Sequence, residues 1–202
     1  MRGFSDDERA AIRQQLLAAG RELCLRFGPE KTNVAEITDE VGIAKGTFYQ
    51  FFDSKAALYY ELFVEERDAF LAAAEVELAD VADAETGVVW LFDHYLSWIE
   101  ESPLLQRLLA DDAYKALFRD LPRDRLEREQ QAALAELRPF FETWRESGEL
   151  RDVEFEVFLG LLGSVALVTL HRDDFERAPG PDRYEEIRGV LVETVARGLT
   201  SE

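Results

Sequence analysis

The chain has 202 residues, of which 47% are hydrophobic, and this composition is typical of a folded globular protein. It has 23 basic and 42 acidic residues, and the formal net charge of −19 by itself argues against binding to nucleic acid, whose phosphates attract positive surfaces. No apolar run reaches the roughly 18 residues that span a bilayer, and no secretory signal is visible near the N-terminus. The single cysteine, Cys24, lies in an apolar helical pattern and predicts a core thiol. We therefore expect a soluble cytoplasmic protein that does not contact a membrane.

The negative charge is distributed unevenly along the chain. Residues 1–55 hold eight basic and nine acidic residues, a net charge of −1, and the remainder holds 15 basic and 33 acidic residues, a net charge of −18. Three of the four lysines, Lys31, Lys45 and Lys55, lie in the N-terminal part. This asymmetry predicts a nearly neutral N-terminal module joined to an acidic body.

The spacing of apolar residues predicts an all-α protein. Apolar residues recur every three or four positions, and no stretch of useful length alternates with the period of two that marks a strand. Gly28-Pro29 ends the first helix, a short helix fits residues 33–41, and a second short helix begins near Lys45. A long helix then runs from residues 53–54 to about residue 78. Further helices are expected over residues 86–101, 104–118, 123–147, 153–173 and 183–199.

The two short helices on either side of Gly42 have the arrangement of a helix-turn-helix motif, in which the second helix enters the DNA major groove. Glycine suits this turn because a left-handed backbone costs a residue with a side chain more. The angle between the helices is expected to be fixed by a small core of Ile37, Val41, Ile43 and Phe48.

The second helix of this motif carries the residue types that DNA binding needs. Lys45 is a cation at its start, and Gly46 lets the backbone approach a phosphate, to which the helix N-terminus adds amide donors and its dipole. Gln50 is suited to reading adenine. The remaining candidates for hydrogen bonds to DNA are Thr47 and Tyr49 on the second helix, Thr32 and Asn33 on the first, and Lys55 at the start of the long helix.

The run GIAKGTFYQFFDSKAAL, residues 42–58, closely resembles the TetR family signature G-V-S-K-G-T-L-Y-x-Y/H-F-x-S-K-x-x-L. Upstream, Phe27-Gly28 and residues 32–37 are similar to the family's F-G…T-T-V-x-x-I-A segment, so the resemblance covers roughly residues 9–70. The chain departs from the pattern at Asn33, Thr38, Ala44 and Phe51, where the family commonly has Thr, Ala, Ser and Tyr or His. Ala44 lacks a hydroxyl that would contact a phosphate.

The resemblance implies a DNA-binding domain over residues 9–70, with the helix-turn-helix at about 32–52, and a helical effector-binding and dimerisation domain over residues 71–202. It also implies that Ala44, Tyr49 and Phe51 lie on the DNA-binding surface. We expect a repressor that a small molecule releases from a double-stranded DNA operator. The same fold acting as an activator, and an all-α ligand-binding protein that does not bind DNA, remain as alternatives.

The family's habit also implies a homodimer through the last two helices, about residues 153–173 and 183–199. Gly160, Gly163 and Ser164 would let helices approach closely there. The alternative is that these helices are buried within one chain.

Aromatic residues of the body suggest an effector pocket, although aromatic residues at helical spacing are usually core. An apolar or aromatic effector would suit them. The pocket candidates are Trp90, His94, Tyr95, Trp98, Phe118, Phe141 and Trp144.

Sequence features of an enzyme are lacking. There is no Cys/His metal spacing, Gly-rich phosphate loop or nucleophile elbow, and the two histidines, His94 and His171, are far apart in the sequence. We therefore expect no catalytic residues, no metal and no cofactor. The acidity leads to the hypothesis of adaptation to high intracellular salt, with an ordinary acidic regulator as the alternative.

Overall fold

The computed structural model describes residues 4–109, 121–172, 175 and 183–200. The described residues form helices joined by turns and no strand, which confirms the all-α prediction. The α-helices are α1 (Asp6–Phe27), α2 (Val34–Val41), α3 (Lys45–Phe48), α4 (Lys55–Leu78), α5 (Ala84–Glu101), α6 (Pro103–Leu109), α7 (Arg123–Leu134), α8 (Arg138–Glu146), α9 (Phe155–Val165) and α10 (Tyr184–Thr200). Two 3₁₀ helices span Ala135–Leu137 and Ala166–His171. Across the described ranges, none of the helices combines the length and apolar character needed to cross a bilayer.

The helix predicted over residues 123–147 is divided in the structure. A 3₁₀ turn separates α7 from α8, and Pro139 lies in the first turn of α8. Proline lacks a backbone N–H donor, so it fits the first turn of a new helix better than the interior of a continuous one. The helix predicted over residues 153–173 is also divided, because α9 ends at Val165 and the second 3₁₀ helix follows it directly. The predicted helix end at residue 118 lies outside the described residues.

Both ends of α1 are defined by local hydrogen bonds. The Ser5 hydroxyl accepts from the Glu8 amide at 3.3 Å, and the Glu8 carboxylate accepts from the Ser5 amide at 2.7 Å, which together form a capping box. At the other end the Gly28 amide donates to the Cys24 carbonyl at 2.8 Å. Gly28 has φ 85°, a conformation that favours glycine, and it ends the helix as the sequence predicted.

The chain divides into two compact units, and the division falls within α4. The N-terminal unit contains the described residues of Met1–Arg67 and Pro103–Leu126, and the second unit contains those of Asp68–Ser102 and Glu127–Glu202. The sequence placed α6 in the second domain, whereas Leu104 and Leu108 are buried in the N-terminal core. That core comprises Leu16, Leu17, Leu23, Cys24, Ile37, Phe48, Phe52, Leu58, Tyr59, Leu62, Leu104 and Leu108.

The core of the second unit is built around Trp144 on α8. Its ring packs directly against Gly87 on α5, where a Cβ atom would lie 2.2 Å from Cζ2 of the indole. The indole Nε1 donates a hydrogen bond to the Val81 carbonyl at 3.2 Å. The buried Phe141 ring lies 5.3 Å, centroid to centroid, from the Phe158 ring of α9. Contacts between distant parts of the sequence therefore hold α5, α8 and α9 together.

Candidate DNA-binding surface

The turn between α2 and α3 has the geometry that the sequence predicted. Gly42 is left-handed, with φ 74° and ψ 30°, and the next amide, that of Ile43, donates to the Thr38 carbonyl at 3.0 Å. Ile37 and Phe48 are fully buried in the N-terminal core, and Val41 and Ile43 pack against it in part. The predicted small core is therefore present, and it fixes α3 relative to α2.

Asn33 caps α2. Its Oδ1 atom accepts from the Ala35 amide at 2.9 Å and from the Glu36 amide at 3.2 Å, and the Glu36 carboxylate accepts from the Asn33 amide at 2.8 Å. The side chain is exposed, and capping uses its acceptor oxygen only. Capping does not use the side-chain NH₂ group, and this group is the donor that a contact with a phosphate would require.

Thr32 departs from the sequence prediction. Its side chain is only 1% exposed, and its hydroxyl donates to the Gly28 carbonyl at 3.0 Å. A buried hydroxyl whose proton is already donated does not present itself to a DNA phosphate. The prediction for Thr32 is corrected accordingly: this side chain closes the loop between α1 and α2.

Lys55 makes hydrogen bonds within the protein that the sequence did not predict. Its Nζ atom donates to the Pro29 carbonyl at 2.7 Å and to the Thr32 carbonyl at 2.6 Å, and the side chain is half-buried. Burial lowers the pKa of Lys55, and the negative charge of Glu30 opposes that shift. Two of its three donors are therefore occupied within the N-terminal unit.

The remaining candidates on α3 and the turn after it form an exposed surface. Lys45, Gly46 and Gln50 are exposed, Tyr49 is 52% exposed, and Thr47 is half-buried. A Cβ atom on Gly46 would meet no other heavy atom within 4 Å, so the folded protein does not need glycine at this position when no DNA is bound. We call Lys45, Gly46, Thr47, Tyr49 and Gln50 the reading surface.

The N-terminus of α3 attracts a phosphate less strongly than the sequence predicted. The regular helix has four residues, so the dipole predicted to attract a phosphate is small. Ala44 is exposed at the N-cap with φ −69° and ψ 142°, and its side chain makes no capping hydrogen bond. The absent hydroxyl therefore also deprives the helix of a cap.

Arg9 on α1 is a contributor to this surface that the sequence analysis missed. Its Nη2 atom donates to the backbone carbonyl of Gln50 at 3.1 Å, and its guanidinium carbon lies 5.0 Å from the centroid of the Phe51 ring. The Phe4 ring lies 6.4 Å from the same ring. Phe51, a predicted DNA contact, is thus half-buried and covered in part by α1. No sequence spacing connects residues 9 and 50, so only the fold reveals this contact.

The predicted effector residues separate into two groups in the second unit. Four of them, all half-buried, form one group of ring contacts with the buried Phe70: His94, Tyr95 and Trp98 contact Phe70, and Trp90 contacts His94. The His94 ring stacks between Phe70 and Trp90, with centroid separations of 5.2 Å and 4.5 Å. Burial lowers the pKa of His94, and the negative charge of Asp93 opposes that shift. We call Phe70 and these four residues the aromatic cluster.

The other pocket candidates do not join this cluster. Phe141 and Trp144 are almost completely buried and belong to the core described above, which corrects their predicted role in ligand binding. Their rings are covered by α5 and α9 residues and fill space that a ligand would need. Phe118 lies outside the described residues.

The residues that form the helix-turn-helix also match a known family. The model of the bacterial regulatory proteins of the tetR family matches residues 16–62, which include α2, α3 and the start of α4. The match covers less than a quarter of the chain, and it shows that this segment is similar to the DNA-binding part of that family. Proteins of the TetR family are transcriptional regulators rather than enzymes.

The chain also resembles a curated protein and several solved structures. The HTH-type transcriptional repressor Rv1474c of Mycobacterium tuberculosis is 30% identical over 73 residues, which is 36% of this chain and 39% of that protein. The fatty acid degradation regulator FadR of Bacillus halodurans has a TM-score of 0.65 and 15% identity, covering 95% of this chain and 97% of that one. FadR of Bacillus subtilis, solved with stearoyl-CoA, has a TM-score of 0.66 and 17% identity, covering 89% and 97%. At these identities the two structures show a shared fold.

Proposed function

We propose that the chain is a transcriptional repressor that binds double-stranded operator DNA and that a small molecule releases. The observation that carries the proposal is the reading surface: a cation, a glycine and three hydrogen-bonding side chains are grouped beside a helix-turn-helix whose core is buried. The repressor named above, similar over part of its length, supports repression over activation. A regulator bound to chromosomal DNA acts in the cytoplasm.

Each member of the reading surface has a defined task in this proposal. Lys45 pairs with a phosphate, and Gly46 allows the backbone to approach the DNA closely because it has no Cβ. The Tyr49 hydroxyl donates to a phosphate, and Thr47 adds a further hydrogen bond to DNA. The Gln50 amide reads a base edge, with adenine as its preferred partner.

Gly46→Ala tests this assignment because it separates folding from DNA binding. The free fold has room for the added methyl group, and alanine favours a helix by about 1 kcal/mol over glycine. The melting temperature should therefore stay constant or rise, whereas a mobility-shift titration against the DNA upstream of the chain's own gene should show weaker binding. Equal DNA affinity in both proteins would contradict the proposed role of Gly46.

Gln50→Ala tests base reading, with Gln14→Ala on α1 as the matched exposed glutamine. Selection from a random DNA library should give a relaxed preference at one position of the site for Gln50→Ala. The expected loss at that position is about 1–3 kcal/mol of discrimination. An unchanged preference in Gln50→Ala would place base recognition elsewhere.

The proposal includes a homodimer formed by α9, the 3₁₀ helix that follows it, and α10. Large hydrophobic side chains are exposed on these elements, and 60% of Val190 is accessible. A Cβ atom added to Gly160 or to Gly163 would meet no other heavy atom within 4 Å, which leaves room for a second helix. The exposed residues are Val157, Leu167, Ile187 and Val190.

Sedimentation velocity tests the dimer with two valines that are both exposed. Val190→Glu on α10 should give a monomer, because a charge in an apolar interface has no partner. Val76→Glu on α4, where 74% of the residue is exposed, should leave the dimer intact. A dimer that persists in Val190→Glu would contradict this choice of interface.

The aromatic cluster is proposed to bind an apolar or aromatic effector. FadR of Bacillus subtilis, which has a similar fold, was solved with stearoyl-CoA, and this analogy of fold motivates a test with a ligand that has an apolar chain. Titration with stearoyl-CoA and with a naphthalene-bearing dye, followed by tryptophan fluorescence and by release of bound DNA, distinguishes acyl from aromatic ligands. Trp98→Phe should reduce the fluorescence response if the cluster is the site.

The domain division at about residue 70 and the adaptation to high salt also remain proposals. The net charge of −18 after residue 55 motivates the second of these. Specific DNA binding that persists at high salt would support adaptation. A loss of binding with several powers of the salt concentration would instead identify an ordinary acidic regulator.

A further inference from the structure

We propose that Lys55 is a positioning residue, which fixes the loop between α1 and α2 and does not neutralise a DNA phosphate. The inference rests on the proposed DNA-binding function and changes the role of one residue in it. Lys55 is the first residue of α4, and the two carbonyl groups it contacts are 23 and 26 residues earlier in the sequence. It therefore connects the start of α4 to the entrance of the helix-turn-helix.

The loop between α1 and α2 needs such a donor. Pro29 and Thr32 are both buried, and a buried carbonyl without a hydrogen bond costs about 1–3 kcal/mol. Lys55 Nζ supplies a donor to each of these carbonyls, at 2.7 Å and 2.6 Å. A third carbonyl of the loop, that of Gly28, accepts a hydrogen bond from the Thr32 hydroxyl. An ammonium group, with three donors and no acceptor, is suited to bridging two carbonyls.

The loop in turn determines where α2 begins. Thr32, whose carbonyl Lys55 holds, directly precedes Asn33, and the Oδ1 atom of Asn33 caps the first turn of α2. Loss of the Lys55 contacts would release the residue before the cap and weaken the hydrogen bonds of that first turn. The orientation of α2, and of α3 beyond the Gly42 turn, would then be less well defined.

Lys45 provides the matched comparison, because it is exposed on the reading surface whereas Lys55 is half-buried. A lysine that neutralises a phosphate releases counterions, and its loss reduces the slope of log K against log salt by about 0.9 for each contact. A lysine that acts only on protein structure leaves this slope unchanged. The salt dependence of binding therefore distinguishes the two roles.

The experiment compares Lys55→Met and Lys45→Met in the full chain by two measurements. Hydrogen exchange should become at least tenfold faster at the Ala35 and Glu36 amides in Lys55→Met and stay unchanged in Lys45→Met. Binding to a 30-base-pair duplex of the upstream DNA should weaken in both variants. The salt slope should fall by about 0.9 per bound chain in Lys45→Met only.

Lys55→Gln provides a second variant if Lys55→Met does not fold. Its amide has two donors and no charge, so it should restore part of the exchange protection and keep the wild-type salt slope. A slope that falls in Lys55→Gln or Lys55→Met as it does in Lys45→Met would overturn the proposal. Unchanged exchange at the α2 amides would overturn it as well. If the wild-type chain binds no DNA, the proposed function fails, and the exchange measurement alone decides whether Lys55 positions the loop.

Discussion

The helix-turn-helix segment, residues 32–52, and the second unit differ in the range of the contacts that define them. Asn33 and Gly42 act through hydrogen bonds to residues two to four positions away. Trp144, in contrast, bonds to Val81 and packs on Gly87, more than 50 residues earlier in the chain. Local contacts follow from backbone chemistry that the sequence displays, and long-range packing depends on how helices meet. The two regions also differ in charge, since the acidic excess lies after residue 55.

Trp144→Ala should have the largest effect, because it removes the central ring of the second unit. Truncating a buried tryptophan costs about 3–5 kcal/mol of unfolding free energy, and here the indole hydrogen bond to Val81 is lost as well. Urea denaturation followed by circular dichroism measures the change. Trp90→Ala, at a half-buried position of the aromatic cluster, is the control and should cost less. Similar stability of wild type and Trp144→Ala would contradict the assignment of Trp144 to the core and would favour its predicted role in the ligand site.

Cys24 should make the N-terminal unit sensitive to alkaline pH. Burial raises the pKa of the Cys24 thiol to about 11, although the positive charges of Arg107 and Lys55 oppose the shift. The folded state therefore favours the neutral thiol. The contribution of this preference to the free energy of unfolding is fully present below the thiol's ordinary pKa. It is lost as the pH rises from that value towards 11, by up to about 2–3 kcal/mol for a shift of two units.

The measurement is the unfolding free energy of wild type and Cys24→Ala at several pH values from 8 to 11. The variant should start with a lower stability because of the cavity, and it should lose less stability as the pH rises. The difference between the two proteins cancels the titration of tyrosines and lysines elsewhere. Parallel pH profiles would show that the thiol is not responsible.

Gly87→Ala and Gly20→Ala compare close packing in the two regions. A Cβ atom on Gly87 would lie 2.2 Å from the rigid Trp144 ring, and one on Gly20 would lie 2.5 Å from the terminal Cδ2 atom of Leu58. Gly87→Ala should cost about 1–3 kcal/mol, because the indole cannot move without disturbing the core. Gly20→Ala should cost less, since a leucine methyl group can rotate. The opposite order in thermal unfolding would contradict this explanation.

These comparisons show what the sequence could predict and what it could not. The Gly42 turn and the buried Phe48 were predicted correctly, since residue type and spacing determine them. The helix boundaries of the body were also close, as for α5 and α10. The sequence did not reveal hydrogen bonds between a polar side chain and a distant partner. Lysine at position 55 looks the same in the sequence whether it binds a phosphate or two carbonyls.

The same limitation affected the predicted effector residues. Trp98 and Trp144 both have helical spacing and aromatic neighbours in the sequence. Only the packing of α8 against Gly87 buries one of them completely, and the other remains half-buried beside Phe70. Burial of an aromatic ring is thus a property of helix contacts and not of the local sequence pattern.

Ala44→Ser should increase the stability of the helix-turn-helix by about 1 kcal/mol. Ala44 already has the extended backbone of an N-cap, and a serine hydroxyl there would accept a hydrogen bond from an amide in the first turn of α3. Ala18→Ser, at an exposed position within α1, should slightly destabilise the protein because serine is a poorer helix former. Thermal unfolding of the two variants tests the difference in sign. A destabilised Ala44→Ser would show that α3 does not use this cap.

Arg9→Met should have the smallest effect on stability and a selective effect on DNA recognition. The exposed cation–π contact with Phe51 contributes about 0.5–1 kcal/mol, and the contact of Arg26 with Phe27, at 4.9 Å, makes Arg26→Met a matched control for stability. Arg9 additionally holds the Gln50 carbonyl, so its loss should weaken binding to the preferred site more than binding to random duplex DNA. A direct phosphate contact by Arg9 would instead weaken both by the same factor, because phosphates carry no sequence information. The ratio of the two affinities, measured by fluorescence anisotropy, therefore separates a residue that positions Gln50 from one that binds the backbone.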